Sequence, residues 1–153
     1  MKKVLSVTAM VLVGIFFLTG CGNEKVLECS MKNVGNNMNA YGNIKYTFKN
    51  DKIVSQHSVI EFKDITVPNL DQVWDTYVEQ FTEQNKPADE VGYKRTVKSD
   101  NKNHTFTITL DVDYSKITSQ VMNKYGINEE EASVSYDDMK RSMLDNPDTI
   151  SCK

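Results

Sequence analysis

The three cysteines carry the most distinctive chemistry of this chain. A thiol can accept a lipid or can pair with a second thiol, and its neighbours and its compartment decide which. Cys21 ends the segment 18–21, Leu-Thr-Gly-Cys, whereas Cys29 and Cys152 lie near the two ends of the remaining chain. These positions predict a lipidation site at Cys21 and a disulfide between the other two cysteines.

Residues 1–20 have the organisation of a bacterial secretory signal. Lys2 and Lys3 form a basic segment, and residues 4–18 are apolar. That run is shorter than the roughly 20 apolar residues that a spanning helix needs. Segment 18–21 resembles the lipobox of bacterial lipoproteins, in which the cysteine receives a diacylglycerol before cleavage and acyl chains such as palmitate anchor the product. The alternatives are an ordinary thiol beyond a standard signal and an uncleaved anchor.

This interpretation divides the chain into a signal peptide (1–20), a lipidated N-terminus with a short tether (21–25) and a single domain (26–153). The domain is expected outside the cytoplasm, anchored to the bacterial cell membrane. The full chain has 18 basic and 21 acidic residues and a net charge of −3. Removal of Lys2 and Lys3 with the signal, which contains no acid, leaves −5.

An acidic domain excludes one class of partner. Binding to nucleic acid depends on a basic patch that neutralises phosphates, so no nucleic acid is expected. The predicted partners are the membrane, through the lipid on Cys21, and an unidentified envelope protein or small ligand. The oligomeric state stays open.

Cys29 and Cys152 fit a structural disulfide. Both follow the proposed signal, and disulfides persist in oxidising compartments. Each lies in a strand-like segment, 26–31 and 149–152, so the pair would join the two terminal strands. Two free thiols are the alternative.

Two hairpins are predicted from alternating apolar and polar residues. The first covers residues 44–62, with a tight turn at Asn50 and Asp51, and the second covers 91–112. The first turn places Phe48 opposite Ile53 and would place Ile44 opposite His57. The apolar positions of the second strand change phase, which predicts a bulge within residues 55–58.

Three helices are predicted between and after the hairpins. Residues 68–84 carry an apolar stripe that includes Trp74, with Asn69 and Gln72 as a capping box. Residues 115–125 form a second helix that ends at Gly126, and a Ser-x-x-Asp box at 135–138 begins a third. The predicted fold class is α+β: an antiparallel sheet built from two hairpins plus terminal strands, with about three helices packed against it.

No catalytic, cofactor-binding or metal-binding residue is predicted. His57 and His104 lack the spacing of a zinc site, and each is expected on a strand at a polar edge. Residues 111–115 imitate the start of a calcium loop, but Lys116 replaces the required glycine and Met122 the required glutamate. Trp74 is expected in the core rather than at a sugar-binding surface.

The order of these pieces resembles a YehR-like family of small bacterial lipoproteins. The corresponding segments are 18–21, 44–62, 68–84, 91–115, 135–138 and 152–153. The resemblance implies a lipoprotein with an α+β fold, and it transfers no catalytic residue. The chain departs from it in the Asn-rich loop 33–43, so a binding role of that loop would belong to this protein alone.

Three classes of function follow from these observations. The leading one is a membrane-anchored binding or accessory module of the cell envelope. If the first strand rises from the membrane, loop 33–43, which contains Tyr41, and connection 64–69 point outward and carry recognition. The alternatives are a small envelope enzyme with a carboxylate or tyrosine site, and a protein-interaction or inhibitor module with an exposed apolar patch.

Overall fold

The computed structural model describes residues 23–144 and 149–153. Seven strands form one antiparallel sheet in the order β4-β5-β6-β3-β2-β1-β7, so β3 is the central strand. The strands are β1 (Glu24–Val34), β2 (Asn39–Lys49), β3 (Lys52–Lys63), β4 (Ala88–Glu90), β5 (Tyr93–Asp100), β6 (Thr105–Asp113) and β7 (Ile150–Cys152). The helices are α1 (Leu70–Gln84), α2 (Ser119–Tyr125) and α3 (Tyr136–Leu144), with a 3-10 turn at Glu131–Ser133. The predicted α+β class is confirmed.

Helices α1 and α2 pack on the same face of the sheet, because apolar residues alternate with polar ones along β6. Phe106 is fully buried and packs in one cluster with Trp74 and Phe81 of α1. Val112, six residues along the same strand and on the same face, packs with Val121 of α2. Trp74 is therefore a core residue, as predicted.

Helix α3 covers the other half of that face. Leu27 and Phe48 are fully buried, and Tyr136 and Met139 of α3 pack against their cluster. The rings of Phe48 and Tyr136 meet edge to face, with centroids 5.5 Å apart. No described helix covers the opposite face of the sheet, which we call the open face.

The turn between β2 and β3 is the one predicted. Asn50 and Asp51 have φ values of 52° and 62°, as a two-residue type I′ hairpin requires. Phe48 pairs with Ile53 as expected, but Ile44 pairs with Ser58 rather than His57. The register shifts directly after that first pair, where β3 contains one extra residue, Val54. The bulge therefore lies just before the segment predicted to hold it.

The predicted loop 33–43 is mostly strand. β1 and β2 pair from Glu24 with Lys49 to Val34 with Asn39, which leaves only residues 35–38 as a turn. The sheet thus contains a continuous β1-β2-β3 meander instead of a hairpin with a separate terminal strand. Cross-strand hydrogen bonds satisfy the backbone of this Asn-rich segment, and pairing of this kind overrides weak intrinsic strand propensity.

The second hairpin also differs from the prediction. Val91 was expected in a strand, but it is exposed and forms a two-residue turn with Gly92. Residues 88–90 form the short edge strand β4, so Glu90 pairs with Tyr93 across this turn. Gly92 has a φ of 77°, a conformation that glycine adopts at little cost.

Asn69 occupies the N-cap position of α1 as predicted, but its capping box is wrong, and so is the predicted start of α2. Asn69 adopts φ 54° and makes no side-chain cap, so the predicted capping box does not form. Helix α2 begins at Ser119, because Asp113 accepts the Ser115 N–H and holds the preceding residues in a turn. Its predicted end at Gly126 is confirmed.

The predicted box at the start of α3 is confirmed. The Asp138 N–H donates to Ser135 Oγ at 3.2 Å, and that hydroxyl donates to the Asp138 carboxylate at 2.8 Å. None of the helices in residues 23–144 is long and apolar enough to span a bilayer.

A disulfide joins Cys29 of β1 to Cys152 of β7. The flanking pair, Glu28 and Lys153, exchanges both backbone hydrogen bonds, so the cysteines occupy a non-hydrogen-bonded pair. Side chains approach most closely at such positions. The bond covalently attaches the last strand to the first.

Candidate functional site

The first described residue and the β1–β2 turn lie at opposite ends of the strands. At one end, which we call the proximal end, the Asn50 N–H donates to the Asn23 carbonyl at 3.2 Å. At the other, the distal end, the Thr66 N–H donates to the Asn37 carbonyl at 2.8 Å and joins the two loops there. Strand β2 runs between these ends over 11 residues, which corresponds to about 35 Å.

Tyr41 lies on the open face near the distal end. Its hydroxyl donates to Asp64 Oδ2 at 3.3 Å, and the Asn39 side-chain amide donates to the same oxygen at 2.9 Å. The ammonium groups of Lys63 and Lys32 lie 4.4 and 5.9 Å from the centre of the Tyr41 ring. Two neighbouring strands and the residue that follows β3 therefore hold the ring in place.

The charges around Tyr41 are partly neutralised. Lys63 forms an ion pair with Glu61 at 3.0 Å, and this hydrogen-bonded carboxylate raises the pKa of Lys63. Lys32 makes no ion pair among the described residues, so its ammonium is available to an acidic group. We refer to six residues together as the distal cluster: Lys32, Asn39, Tyr41, Glu61, Lys63 and Asp64. They combine an aromatic ring, two cations and two carboxylates on rigid strands, which suits recognition of a polar or charged partner.

A groove of about 620 Å³ on the open face extends from this cluster. Tyr41, Lys32 and Glu61 lie at its distal end; the other lining residues of the open face are Ser30, Asn43, Val59, Thr107, Thr149 and Ser151. A second groove of about 580 Å³ shares Ser30, Asn43, Val59 and Ser151 with the first and continues to Lys45 and His57. Two adjoining grooves therefore extend along the open face from the distal cluster to the middle of the sheet.

One row of charged residues crosses the open face through all seven strand positions. Lys153, which directly follows β7, joins the row because its backbone is hydrogen-bonded to Glu28. With the strand registers, the order is Lys153, Glu28, Lys45, His57, Asp111, Lys94 and Asp89. Two ion pairs and one hydrogen bond connect neighbours: the ion pairs are Lys45–Glu28 at 3.2 Å and Lys94–Asp89 at 3.2 Å, and the hydrogen bond is His57–Asp111 at 2.6 Å. We call this set the charge row. His57 lies at its centre, on the central strand.

The third groove, of about 400 Å³, adjoins His57 and contains three carboxylates, Asp111, Asp113 and Glu90. Hydrogen bonds from Lys116 and Ser115 lower the pKa of Asp113. Glu90 is likewise lowered in pKa, by hydrogen bonds from Lys124 and Tyr125. A general acid needs a raised carboxyl pKa, whereas both of these pKa values are shifted downward.

Two arrangements common at catalytic sites are not found among the described residues. Residues 23–144 and 149–153 contain no cluster of three or more His, Cys, Asp or Glu side chains placed to hold a metal. Among the same residues, no hydroxyl donates to His57; its side-chain partner there is Asp111.

The residues predicted from sequence are distributed over several parts of the fold. Cys21 and its motif lie outside the described residues, while Cys29 and Cys152 form the disulfide at the β1–β7 edge. His57 lies on a strand, as predicted, but His104 does not. It lies in the β5–β6 turn with φ 48°, and its ring contacts Trp74 at a centroid distance of 4.7 Å.

The sequence predicted recognition by segments 33–43 and 64–69, which include Tyr41 and Asp64, but not by Lys32, Glu61 or Lys63. Lys32, Glu61, Lys63 and Asp64 come from two other parts of the chain, and only strand pairing brings them to the tyrosine. The charge row was missed for the same reason. The signal in the sequence is a charged or imidazole side chain on the polar side of the predicted strands. These side chains can be aligned into one row only when the position of the bulge in β3 is known.

Comparison with known proteins supports the fold. No protein-family model matches the chain, and no curated protein matches it. The NMR structure of the E. coli YehR protein matches with a TM-score of 0.50 and 13% identity, over 83% of this chain and 91% of that one. The NMR structure of a protein from Streptococcus pneumoniae TIGR4 matches with a TM-score of 0.52 and 12% identity, over 100% and 99%. The chain therefore has a YehR-like α+β fold, and identities this low extend to the fold alone.

Proposed function

We propose that this chain is an extracytoplasmic lipoprotein, anchored to the bacterial membrane through Cys21, that binds an envelope partner with its distal cluster. The lipobox-like segment 18–21 supports the anchor. The Cys29–Cys152 disulfide is compatible with an oxidising compartment. The function is thus that of a binding or accessory module.

The observation that carries this proposal is the separation of Asn23 from the distal cluster. Cys21 precedes Asn23 by two residues, and a chain of that length spans at most about 7 Å. A lipid on Cys21 would therefore keep the proximal end close to the bilayer. The distal cluster would then lie about 25–35 Å away along β2, where an envelope partner can reach it.

The composition of the distal cluster favours a partner that offers polar or acidic groups. Lys32 has no acidic partner among the described residues, whereas Lys63 is already paired with Glu61. An acidic group of the partner would complete the environment of Lys32 beside the Tyr41 ring. Such contacts are stronger when binding excludes water from them.

The two other classes receive less support. The pKa values of Glu90 and Asp113 are shifted downward, which does not favour an acid–base enzyme. The large exposed apolar side chains of the described residues are far apart: Val26 and Val34 lie near opposite ends of β1, Val73 lies on α1 and Val91 lies in the β4–β5 turn. They do not favour a flat apolar interface.

The anchor is tested by expressing the full chain and its Cys21→Ala variant in a bacterial host with radiolabelled palmitate. The parent chain is expected to incorporate label and to sediment with membranes. The Cys21→Ser variant serves as a matched control that keeps a small polar side chain. Equal labelling of the parent and both variants would remove the lipid anchor from the proposal.

The distal site is tested by photocrosslinking in cells. A photoreactive residue at exposed Asn36, in the distal turn, is expected to capture a partner, whereas one at exposed Lys52, at the proximal end, is not. Tyr41→Ala and Lys32→Ala should reduce capture from position 36, while Lys102→Ala, an exposed lysine in another distal turn, should not. Equal capture from both positions, insensitive to Tyr41→Ala, would refute the assignment.

A further inference from the structure

The charge row is complementary to itself. Counted outward from His57, Lys45 on one side corresponds to Asp111 on the other, Glu28 to Lys94, and Lys153 to Asp89. Each correspondence joins opposite charges. The row is therefore antisymmetric about the central strand, with the imidazole at its centre.

We propose that the open face is the interface of a two-fold symmetric dimer formed by a second copy of this chain. The two-fold axis runs along β3, between two open faces that meet each other. It places Lys45 opposite Asp111 of the second copy and Glu28 opposite Lys94 of the second copy. An isologous interface needs this kind of self-complementary surface.

The alternative axis, across the strands through the same row, is disfavoured by charge. It would place Lys45 opposite Lys45 of the second copy and Asp111 opposite Asp111 of the second copy. Like charges in direct opposition cost binding energy and suppress such an arrangement.

The anchor selects the same axis. Rotation about an axis parallel to β3 keeps the proximal ends of both copies on one side, so two lipids can occupy one membrane. Rotation about the perpendicular axis would point Asn23 of the two copies in opposite directions. This step rests on the proposed membrane attachment, whereas the charge argument does not.

The residues next to the row allow close approach. Two residues toward the distal end, the open face carries the uncharged side chains of Ser30, Asn43, Val59 and Thr109. The axis brings Val59 against Val59 of the second copy. These side chains are compact, so they leave room for the charged residues to meet.

The contact opens toward the distal end. There the same axis would place Glu61 opposite Glu61 of the second copy, and twisted sheets also diverge away from their line of contact. The distal cluster of each copy thus stays accessible to another partner. Confinement of both copies to one membrane raises their effective concentration, which favours a contact dominated by polar groups.

The intramolecular ion pairs alone explain the row less completely. Lys45–Glu28 and Lys94–Asp89 stabilise neighbouring strands, but their side chains are more than half exposed and such pairs contribute little. If the row served only to stabilise the sheet, residues at equal distances from His57 on its two sides would not need opposite charges. The dimer accounts for that correspondence.

Charge reversal provides the test. Lys45→Glu alone places a second carboxylate opposite Asp111 at both contacts of a homodimer, and Asp111→Lys alone places two ammonium groups opposite each other. Each variant by itself is expected to dimerise at least about tenfold more weakly than the parent chain. A mixture of the two variants regains opposite charges at both contacts, so a heterodimer should form at near the parental level.

The measurement is photocrosslinking of differently tagged full-length chains in membranes, with the photoreactive residue at exposed Asn43. A crosslinked dimer is expected from position 43 and not from Gln120, an exposed position on α2. Retention of the Cys29–Cys152 disulfide in each variant checks folding. Undiminished dimer in either single variant, or no recovery in the mixture, would overturn the proposal.

A second measurement separates this proposal from the proposed function. Sedimentation of the Cys21→Ala chain in a mild non-ionic detergent, which keeps the retained apolar segment 4–18 in solution, should show a dimer that weakens at least about tenfold between low and high salt. If this dimer forms but the parent chain incorporates no palmitate, the lipid anchor is refuted and the dimer is kept. If the parent chain is labelled at Cys21 and captures a partner from position 36, but forms no charge-dependent dimer, the proposed function is kept and the dimer is refuted.

Discussion

His57 Nδ1 lies 2.6 Å from Asp111 Oδ1, and the two residues face each other directly across β3 and β6. On the other side of β3, the extra residue Val54 sets the pairing with β2 and places Lys45 opposite His57. The His57–Asp111 pair lies at the centre of the charge row. A local feature of one strand thus determines which charges become neighbours across the sheet.

In the monomer, the His57–Asp111 pair is expected to contribute little to stability. Both side chains are about half exposed there, and exposed pairs of this kind contribute about 0.2–1 kcal/mol. A double-mutant cycle with His57→Gln and Asp111→Asn, measured by urea unfolding, should return a coupling energy within that range. A coupling above about 2 kcal/mol would show that the pair is shielded from solvent, for example by a second copy.

Loss of the disulfide is expected to destabilise the domain strongly. Cys29 and Cys152 are 123 residues apart in sequence, and the chain-entropy relation gives up to about 5 kcal/mol for a loop of this length. The Cys29→Ser and Cys152→Ser double variant should therefore unfold at much lower urea concentration. The reduced parent chain is the control and should behave like the double variant.

Phe106→Ala should cost about 3–5 kcal/mol, because its ring is fully buried and stacks on Phe81 with centroids 4.0 Å apart. Val73→Ala on the exposed side of α1 should change the unfolding free energy by less than about 0.5 kcal/mol. Thermal unfolding of both variants checks this difference. Similar melting temperatures would contradict the assignment of Phe106 to the core.

Gly92→Ala should be far more damaging than Gly126→Ala. Both glycines have positive φ, at 77° and 70°, so both alanines incur a conformational penalty. A Cβ at position 92 would also collide with the backbone of Ile117, whereas one at position 126 meets no atom within 4 Å. Urea unfolding of the two variants isolates the cost of the collision.

Glu90 should make stability depend on acid pH. Hydrogen bonds from Lys124 and Tyr125 lower its pKa in the folded state. Its contribution is complete above the ordinary glutamate pKa, about 4.3, and is lost as pH falls through the lower folded-state value. Glu90→Gln should reduce the dependence of the unfolding free energy on pH over this acid range. Glu79→Gln, at an exposed position on α1, should leave that dependence unchanged. Identical pH profiles for the parent chain and Glu90→Gln would contradict this link.

Local sequence patterns predicted the elements well where short-range chemistry dominates. The apolar stripe of α1, the Ser135 box of α3, the Gly126 helix end and the Asn50–Asp51 turn each depend on residues a few positions apart. Asn69 failed as a cap because its backbone adopts a left-handed conformation. The side chain that would have capped the helix then points elsewhere, and propensity alone does not reveal this.

The candidate site was predictable only in part. Tyr41 stood out as an aromatic residue in a polar segment, yet the sequence placed it in a loop, whereas β1 and β3 pair with that segment on both sides. Lys63 and Asp64 reach Tyr41 from more than twenty positions away in the chain. Such contacts depend on strand register, and a shift of one residue reverses which side chains share a face.

The sequence by itself determined the predicted lipidation motif, the pairing of Cys29 with Cys152 as the leading hypothesis, and the α+β class. These follow from covalent order, from the choice of residues at fixed spacing and from hydrophobic periodicity. The tertiary structure alone decided the strand order, the distal cluster and the charge row. The reason is that each of these depends on long-range pairing, and the single extra residue Val54 changes which residues of β2 and β3 face one another.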